Sequence, residues 1–218
     1  MRVFRNGLAI LIALATLPAD GWGQTPPSAG ELAARIQARQ QTIRDFNADF
    51  TLKTTSPLLP REPEERGTLT IKKPGRMRQT STTGDKNEFV ADGRNLYLYF
   101  RRDGYVEVTP LPGGDQASTW VQFLTGRGDL VRDFVARLDA THPPGEWRLI
   151  LTPRQTPATF RSLTLEVDRQ TLQLRGLVVQ DTQETTSAYR FSGLRENRGL
   201  PDREFEFQVP KGVAVRRP

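Results

Sequence analysis

Few residue types in this chain could carry out catalysis. Its 218 residues include no cysteine and one histidine, His142, which stands in a turn-like Thr-His-Pro-Pro-Gly stretch. The lack of cysteine rules out a thiolate nucleophile, a disulfide and a cysteine-bound metal or cluster, and a single histidine rules out a multi-histidine metal site. We therefore expect His142 to be a loop residue, and we predict neither a metal site nor a cofactor.

Serine and carboxylate chemistry also lack their usual signatures. No serine stands in a G-x-S-x-G elbow or an S-x-x-K motif. The neighbouring acids Glu64 and Glu65 are not marked as a glycosidase pair. The Gly-Arg-Gly stretch at 126–128 lacks the Lys-Ser/Thr of a phosphate-binding loop. The sequence predicts a binding protein and not an enzyme.

The positive charge of the chain is dispersed. The formal net charge is +6, but most arginines are single residues beside an acid, as in Arg44-Asp45 and Asp168-Arg169. The few small basic clusters are not accompanied by a nucleic-acid-binding motif. We expect solvated surfaces, a monomer, and no nucleic-acid partner.

The N-terminus has the pattern of a secretory signal. A basic start precedes an apolar run over residues 7–17, which is shorter than the roughly 20 residues needed to cross a bilayer. A proline and small residues follow, where signal peptidase cleaves. With cleavage after Ala19 or Gly23, we expect residues 1–23 to be a signal peptide. Residues 24–218 would form one exported, soluble domain.

One amphipathic helix opens the predicted domain. Ser28 and Glu31 have the spacing of a capping box, in which each side chain bonds the backbone of the other residue. Leu32 and Ile36 then lie on one helical face. The pattern predicts a helix over about 28–45.

The apolar period changes to two after this helix. Alternation at 48–53, 68–72 and 163–168 predicts half-buried antiparallel strands, and turn residues separate roughly nine to eleven such runs. Helix-like spacing at 115–135 predicts two short inserted helices. We expect a mainly β fold whose helices cover the apolar face of the sheet. The sequence leaves open whether a packed core or a cavity lies beneath them.

The order of these motifs resembles the periplasmic outer-membrane lipoprotein carrier family (LolA-like). Each matching segment is short, but the order is fairly specific and spans nearly all of the predicted mature chain. The matching segments are 46–51, 67–78, 90–99, 151–153 and 205–213.

The resemblance implies an unclosed antiparallel β half-barrel, covered by the N-terminal helix and inserted short helices, with an apolar cavity for acyl chains. It implies a periplasmic carrier that moves acylated lipoproteins from the inner to the outer membrane. The implied partners are an inner-membrane lipoprotein-releasing ABC transporter and an outer-membrane lipoprotein receptor. Two alternatives on the same fold stay open: a dedicated lipid or glycolipid carrier, and a lipid-sensing regulator.

The alternating strands identify the residues expected to line this cavity. A slip of one residue on one strand would exchange Leu96 and Leu98 for Tyr97 and Tyr99. Three large apolar residues of the inserted segment, Trp120, Phe123 and Leu124, are expected to cap the cavity. The predicted lining residues are Phe50, Leu52, Leu69, Ile71, Met77, Phe89, Leu96 and Leu98.

A basic residue is expected to tie the lid to the sheet. The resemblance implies that an arginine before the Pro of the β-turn holds helix carbonyls, and here Lys73 occupies that position. Lys73 shares the strand face of Ile71, so its ammonium could reach the negative end of the lid helix. Arg76 or Arg78 could serve instead. Alternatively, Lys73 lies at the rim and contacts only water.

Overall fold

A single mixed sheet dominates the protein. The computed structural model describes residues 26–111, 123–126, 128–155 and 160–217, so the predicted signal peptide and Trp120 lie outside the described residues. The elements of the described part are α1 (Ala29–Thr42), β1 (Asp45–Thr55), β2 (Glu64–Lys72), β3 (Arg76–Ser81), β4 (Glu88–Asp92), β5 (Asn95–Phe100), β6 (Tyr105–Pro110), α2 (Leu130–Asp133), β7 (Phe134–Leu138), β8 (Glu146–Pro153), β9 (Phe160–Asp168), β10 (Leu174–Asp181), β11 (Thr186–Glu196), a 3-10 turn (Asp202–Phe205) and β12 (Ala214–Arg216).

The strands form one open sheet in the order β12-β6-β5-β4-β3-β2-β1-β11-β10-β9-β8-β7. Neighbouring strands are antiparallel, apart from the parallel pair β12 and β6. Within the described residues the two edge strands do not pair with each other, so the sheet is an unclosed half-barrel. The predicted fold class is confirmed, although the twelve strands exceed the number expected from turn spacing.

The start of α1 is determined locally, whereas its end is determined by contacts with distant strands. The Ser28 hydroxyl accepts a hydrogen bond from the Glu31 amide, and the Glu31 carboxylate accepts one from the Ser28 amide. The helix ends at Thr42, three residues before the predicted end, because Asp45 already pairs with β2. The Asp45 carboxylate also accepts a hydrogen bond from the Arg198 amide at 2.7 Å. Pairing with distant strands therefore prevents further helix.

The main core lies between the concave face of the sheet and the helices. Leu32 and Ile36 of α1 are fully buried, as the amphipathic pattern predicts. They belong to the same apolar cluster as the inward residues of β1, β2 and β8–β10. No helix of the described residues has the length and apolar character needed to cross a membrane.

A second, smaller cluster lies on the convex face of β3–β6. Val90 and Val106 are fully buried there. The 3-10 turn packs across β3 and β4, and its Phe205 is 1% exposed. The Phe207 ring stacks on Tyr97, with ring centroids 5.2 Å apart. The strands of this half of the sheet are thus covered on both faces.

Candidate functional site

Four strands contribute side chains to the wall of the concave face. Ile71 lies opposite Met77, Met77 opposite Ala91, and Ala91 opposite Leu96. Residues directly opposite each other on antiparallel strands point to the same face. Leu96 is therefore on the concave side, and Tyr97 is on the convex side beside the C-terminal segment.

The predicted cavity residues are packed together under the helices. Five of them are at most 9% exposed and belong to the core cluster: Phe50, Leu52, Leu69, Ile71 and Met77. The other three, Phe89, Leu96 and Leu98, are half-buried, and Leu96 packs against the same cluster. The eight residues thus lie on one largely apolar face, here called the concave wall, most of which is covered in this conformation. Its binding of acyl chains stays a prediction.

The described part of the inserted segment also covers this wall. Phe123 is 2% exposed and Leu124 fully buried, and both belong to the core cluster. Trp120, predicted to act with them, lies outside the described residues. Phe123 and Leu124 are therefore placed where a lid would lie, while movement on ligand binding stays a prediction.

Lys73 joins the end of β2 to the C-terminal end of α1. Its Nζ donates a hydrogen bond to the backbone carbonyl of Gln40 at 2.5 Å and to the Gln40 side-chain oxygen at 3.3 Å. Its backbone amide donates to the carbonyl of Arg44 at 2.7 Å. The last carbonyls of a helix have no partner within the helix and lie at its negative end. A lysine in this position therefore binds α1 through both charge and hydrogen bonding.

The environment of Lys73 disfavours its charge. Burial is the largest cause and lowers the pKa of the ammonium to about 8, while the nearby Glu196 carboxylate acts in the opposite direction. The contact to a carbonyl provides an acceptor but no compensating charge. Lys73 is consequently a cation that can lose its proton under mildly alkaline conditions.

The inserted segment reaches the same turn. The amide of Gly75 donates to the carbonyl of Thr125 at 3.1 Å, and Gly126 lies against the aliphatic stem of Lys73. The turn between β2 and β3 therefore contacts both elements that cover the concave wall. A movement of that turn would therefore change the contacts of α1 and of the inserted segment together.

A pocket of about 680 Å³ lies around this junction. Its wall combines apolar Phe123 with the polar ends of α1 and the β2–β3 turn. Residues from α1, the turn and α2 line it, among them Gln37, Gln40, Arg44, Lys73, Asp129 and Arg132. The pocket therefore has both polar and apolar lining, and it lies where α1, the turn and the inserted segment meet.

Arg76 and Arg78 point away from α1, and the prediction that either could tie the lid is corrected. Arg76 pairs with Asp202 at 3.3 Å. Arg78 donates through Nε to the carbonyl of Glu204 and through Nη2 to that of Glu206, both at 2.6 Å, and it pairs with Glu88. Strand parity explains this arrangement, because these arginines alternate with the inward-facing Met77 and so lie on the convex face.

A carbonyl at the C-terminal end of α1 was predicted as the acceptor for Lys73, and Gln40 supplies it. Sequence reasoning missed one participant. The C-terminal segment at 202–207 was not recognised as the partner of Arg78, although its Phe-Glu-Phe alternation indicates one apolar side. Among the described residues, no three His, Cys, Asp or Glu side chains are grouped so that they could hold a metal ion.

The chain matches one protein family over most of its length. The family described as "Outer membrane lipoprotein carrier protein LolA" matches residues 41–208. An outer-membrane lipoprotein carrier protein of Chromohalobacter salexigens is 27% identical over 215 residues, covering 99% of this chain and 98% of the relative. One from Chromobacterium violaceum is 26% identical over 209 residues, covering 94% and 97%.

Two solved structures share the fold at lower identity. An uncharacterized conserved protein from Thermus thermophilus has a TM-score of 0.54 at 12% identity, covering 85% of this chain and 99% of that one. A DUF1329 family protein from Desulfovibrio piger has a TM-score of 0.50 at 14% identity, covering 82% and 95%. These two likenesses concern the fold alone.

Proposed function

Because this chain belongs to the LolA family of outer membrane lipoprotein carrier proteins, we propose that it binds the acyl chains of lipoproteins on the concave wall and shuttles them from the inner to the outer membrane. The names of its relatives support the cargo class. The predicted signal peptide supports a periplasmic location.

The observation that carries this proposal is the covered concave wall with its lysine tie. An apolar surface built from successive strands lies under α1 and the 123–126 segment, and Lys73 binds the end of α1 at 2.5 Å. Arg39 also holds α1, through a bidentate pair with Glu196 and a hydrogen bond to the carbonyl of Thr171. Separation of α1 from the wall would break these polar contacts as well as the apolar ones.

Replacement of one apolar contact by another explains how binding stays reversible. Burying an acyl chain contributes about 0.8 kcal/mol for each methylene group, so a long chain in a fully empty cavity would bind too tightly to leave. Here the wall is already covered by side chains such as Leu32 and Phe123. The free energy of binding an acyl chain is then only the difference between the contacts that it makes and those that it displaces. Transfer to a more apolar acceptor therefore stays favourable.

The proposed route needs a donor and an acceptor membrane complex. We assign these roles to an inner-membrane lipoprotein-releasing ABC transporter and an outer-membrane lipoprotein receptor. The carrier contributes binding and protection from water, and the described site needs no cofactor for that role.

Mass spectrometry of the protein purified from a periplasmic extract tests the cargo. Acylated proteins that co-purify in stoichiometric amounts support the proposal. Free lipids or glycolipids would instead support the dedicated lipid carrier. Recovery without any acylated molecule, together with no affinity for an added palmitoylated peptide, would contradict both.

A pair of identical substitutions localises the site. Leu98 is half-buried on the concave wall, whereas Leu58, in the loop between β1 and β2, is 80% exposed. We expect Leu98→Gln to weaken acyl binding severalfold and Leu58→Gln to leave it unchanged. Equal affinities of the two variants would place the acyl site elsewhere.

A further inference from the structure

A polar cluster lies at the far end of the concave wall from Lys73. Glu65 and Lys73 have the same parity and lie eight residues apart, or about 26 Å along an extended strand. Glu65 lies opposite Leu52 of β1, and Leu52 lies opposite Tyr189 of β11. The wall thus ends in a carboxylate on one side and an ammonium on the other.

The carboxylate belongs to a defined set of hydrogen bonds. Glu65 Oε2 accepts a hydrogen bond from the Ser81 hydroxyl at 2.9 Å, and Ser81 is 4% exposed. Nearby, the Tyr189 hydroxyl donates to Gln79 Oε1 at 3.4 Å. Burial is the main reason that the pKa of Tyr189 rises to about 12, and the Glu65 charge adds to the effect. Tyr189 therefore stays a neutral hydrogen-bond donor beside the carboxylate.

Glu64 pairs with basic side chains, whereas its neighbour Glu65 pairs with none of those that the structure describes. Glu64 lies on the convex face and pairs with Arg66 at 2.9 Å and with Lys53 at 3.9 Å. In the described parts of the chain, Glu65 makes no ion pair, and its Oε1 accepts no hydrogen bond. A half-buried charged acceptor at the end of an apolar wall has thus one oxygen open to a ligand.

We propose that Glu65, oriented by Ser81, binds an N–H donor in the head group of an acylated ligand whose chain lies along the concave wall. This inference rests on the proposed acyl-binding function and adds head-group selectivity to it. The amide of an N-acylated protein terminus carries such a donor, and so does the ammonium of an ethanolamine phospholipid.

Desolvation is the source of the selectivity. A chain that covers the wall removes water from Glu65 Oε1, and a charged acceptor left without a donor is strongly unfavourable. A ligand with an N–H group at that point replaces the lost water. A ligand with an oxygen there leaves the acceptor unpaired, and one with a quaternary ammonium keeps the charge but donates no hydrogen bond, so both should bind more weakly.

Two matched pairs of probes test the proposal by calorimetry. The first pair is N-palmitoylglycine methyl ester and the equivalent ester in which oxygen replaces the amide N–H. The second is palmitoyl lysophosphatidylethanolamine and the corresponding lysophosphatidylcholine. We expect the N–H member of at least one pair to bind the wild-type protein about tenfold more tightly. The pair that shows the preference identifies the source of the donor.

Adjacent glutamates provide the control. Glu65→Leu should abolish the preference and keep affinity for the probe without N–H, whereas Glu64→Leu should retain the preference. Glu65→Gln keeps the shape of the side chain, loses its charge, and should give an intermediate preference if Glu65→Leu fails to fold. Equal binding within both pairs, or a preference that survives Glu65→Leu, overturns this inference alone. Failure of every probe to bind the wild type would overturn the acyl-binding function itself.

Discussion

Gly126 packs so tightly against Lys73 that the lysine stem leaves no room for another carbon. A Cβ added at Gly126 would lie 2.8 Å from Cδ and 3.1 Å from Cγ of Lys73. The φ angle of Gly126 is +79°, in the region that favours glycine. The inserted segment and the lysine that reaches α1 therefore depend on each other for position.

Gly126→Ala is expected to be more destabilising than Gly104→Ala. Gly104 has a similar φ of +71° but nothing within 4 Å of an added Cβ, so alanine there should cost only the conformational strain of about 1 kcal/mol. At Gly126 the displaced lysine should add about 1 to 2 kcal/mol. Urea unfolding of the two variants measures the difference. Equal losses would show that Lys73 moves aside freely.

Lys73→Leu is expected to loosen α1 with little loss of global stability. Removing the ammonium deletes the bond to Gln40 but also removes a charge that is costly to bury. Hydrogen exchange at residues 40–43 should accelerate, and delivery of a labelled lipoprotein to its acceptor should be impaired.

Lys72→Leu is the control for that variant. Lys72 lies next in sequence but on the convex face, where it pairs with Asp202. If Lys73→Leu shows wild-type hydrogen exchange and wild-type lipoprotein transfer, Lys73 does not hold α1 in place. Lys73→Arg, with a planar group that can bond several carbonyls at once, should slow the exchange instead.

The stability of the protein should rise with pH through the titration of Lys73. The folded protein has a Lys73 pKa of about 8, against about 10.4 in an unfolded chain. Between these values the unfolded state binds more protons, so the free energy of unfolding increases with pH. Below pH 8 both states are charged, and this contribution is constant.

Chemical denaturation of the wild type and Lys73→Leu from pH 7 to 10.5 isolates the effect. The difference in unfolding free energy between them should change in favour of the wild type above about pH 8. Parallel pH profiles would show that folding does not lower the pKa of Lys73.

Arg78→Lys is expected to release the C-terminal segment from the convex face. The guanidinium serves two carbonyls and Glu88 at once, a geometry that an ammonium does not reproduce. We expect a loss of about 2 kcal/mol in unfolding free energy and faster hydrogen exchange at 204–207. Arg101 also contacts Glu88, at 3.7 Å, but is half exposed, so Arg101→Lys should change stability by less than about 0.5 kcal/mol. Similar losses in both variants would contradict the role of Arg78.

Local patterns in the sequence predicted much of the fold. The capping box of Ser28 and Glu31 marked the start of α1, and period-two alternation identified β1, β2 and β9. The choice between Leu96 and Tyr97 was harder, because both faces of β5 are partly covered and both side chains have a large apolar part. Only the register with β4 distinguishes them.

Contacts between distant residues account for what the sequence could not predict. Arg78 binds carbonyls 126 and 128 positions away, and backbone acceptors leave no mark in the residue types. Parity within β3 does separate Arg76 and Arg78 from the inward-facing Met77, since odd and even positions of one strand face opposite ways. That rule, applied to the sequence, would have excluded both arginines from the lid.

The open sheet has two edge strands, at which one copy of the protein could pair with another. Edge strands offer backbone groups with which another chain can pair, and short length and charge reduce that risk. β12 has three residues, with Arg216 lying 3.7 Å over the Tyr105 ring, and β7 has five, including exposed Arg137. Short length and positive charge at both edges of the open sheet thus discourage edge-to-edge aggregation of the protein.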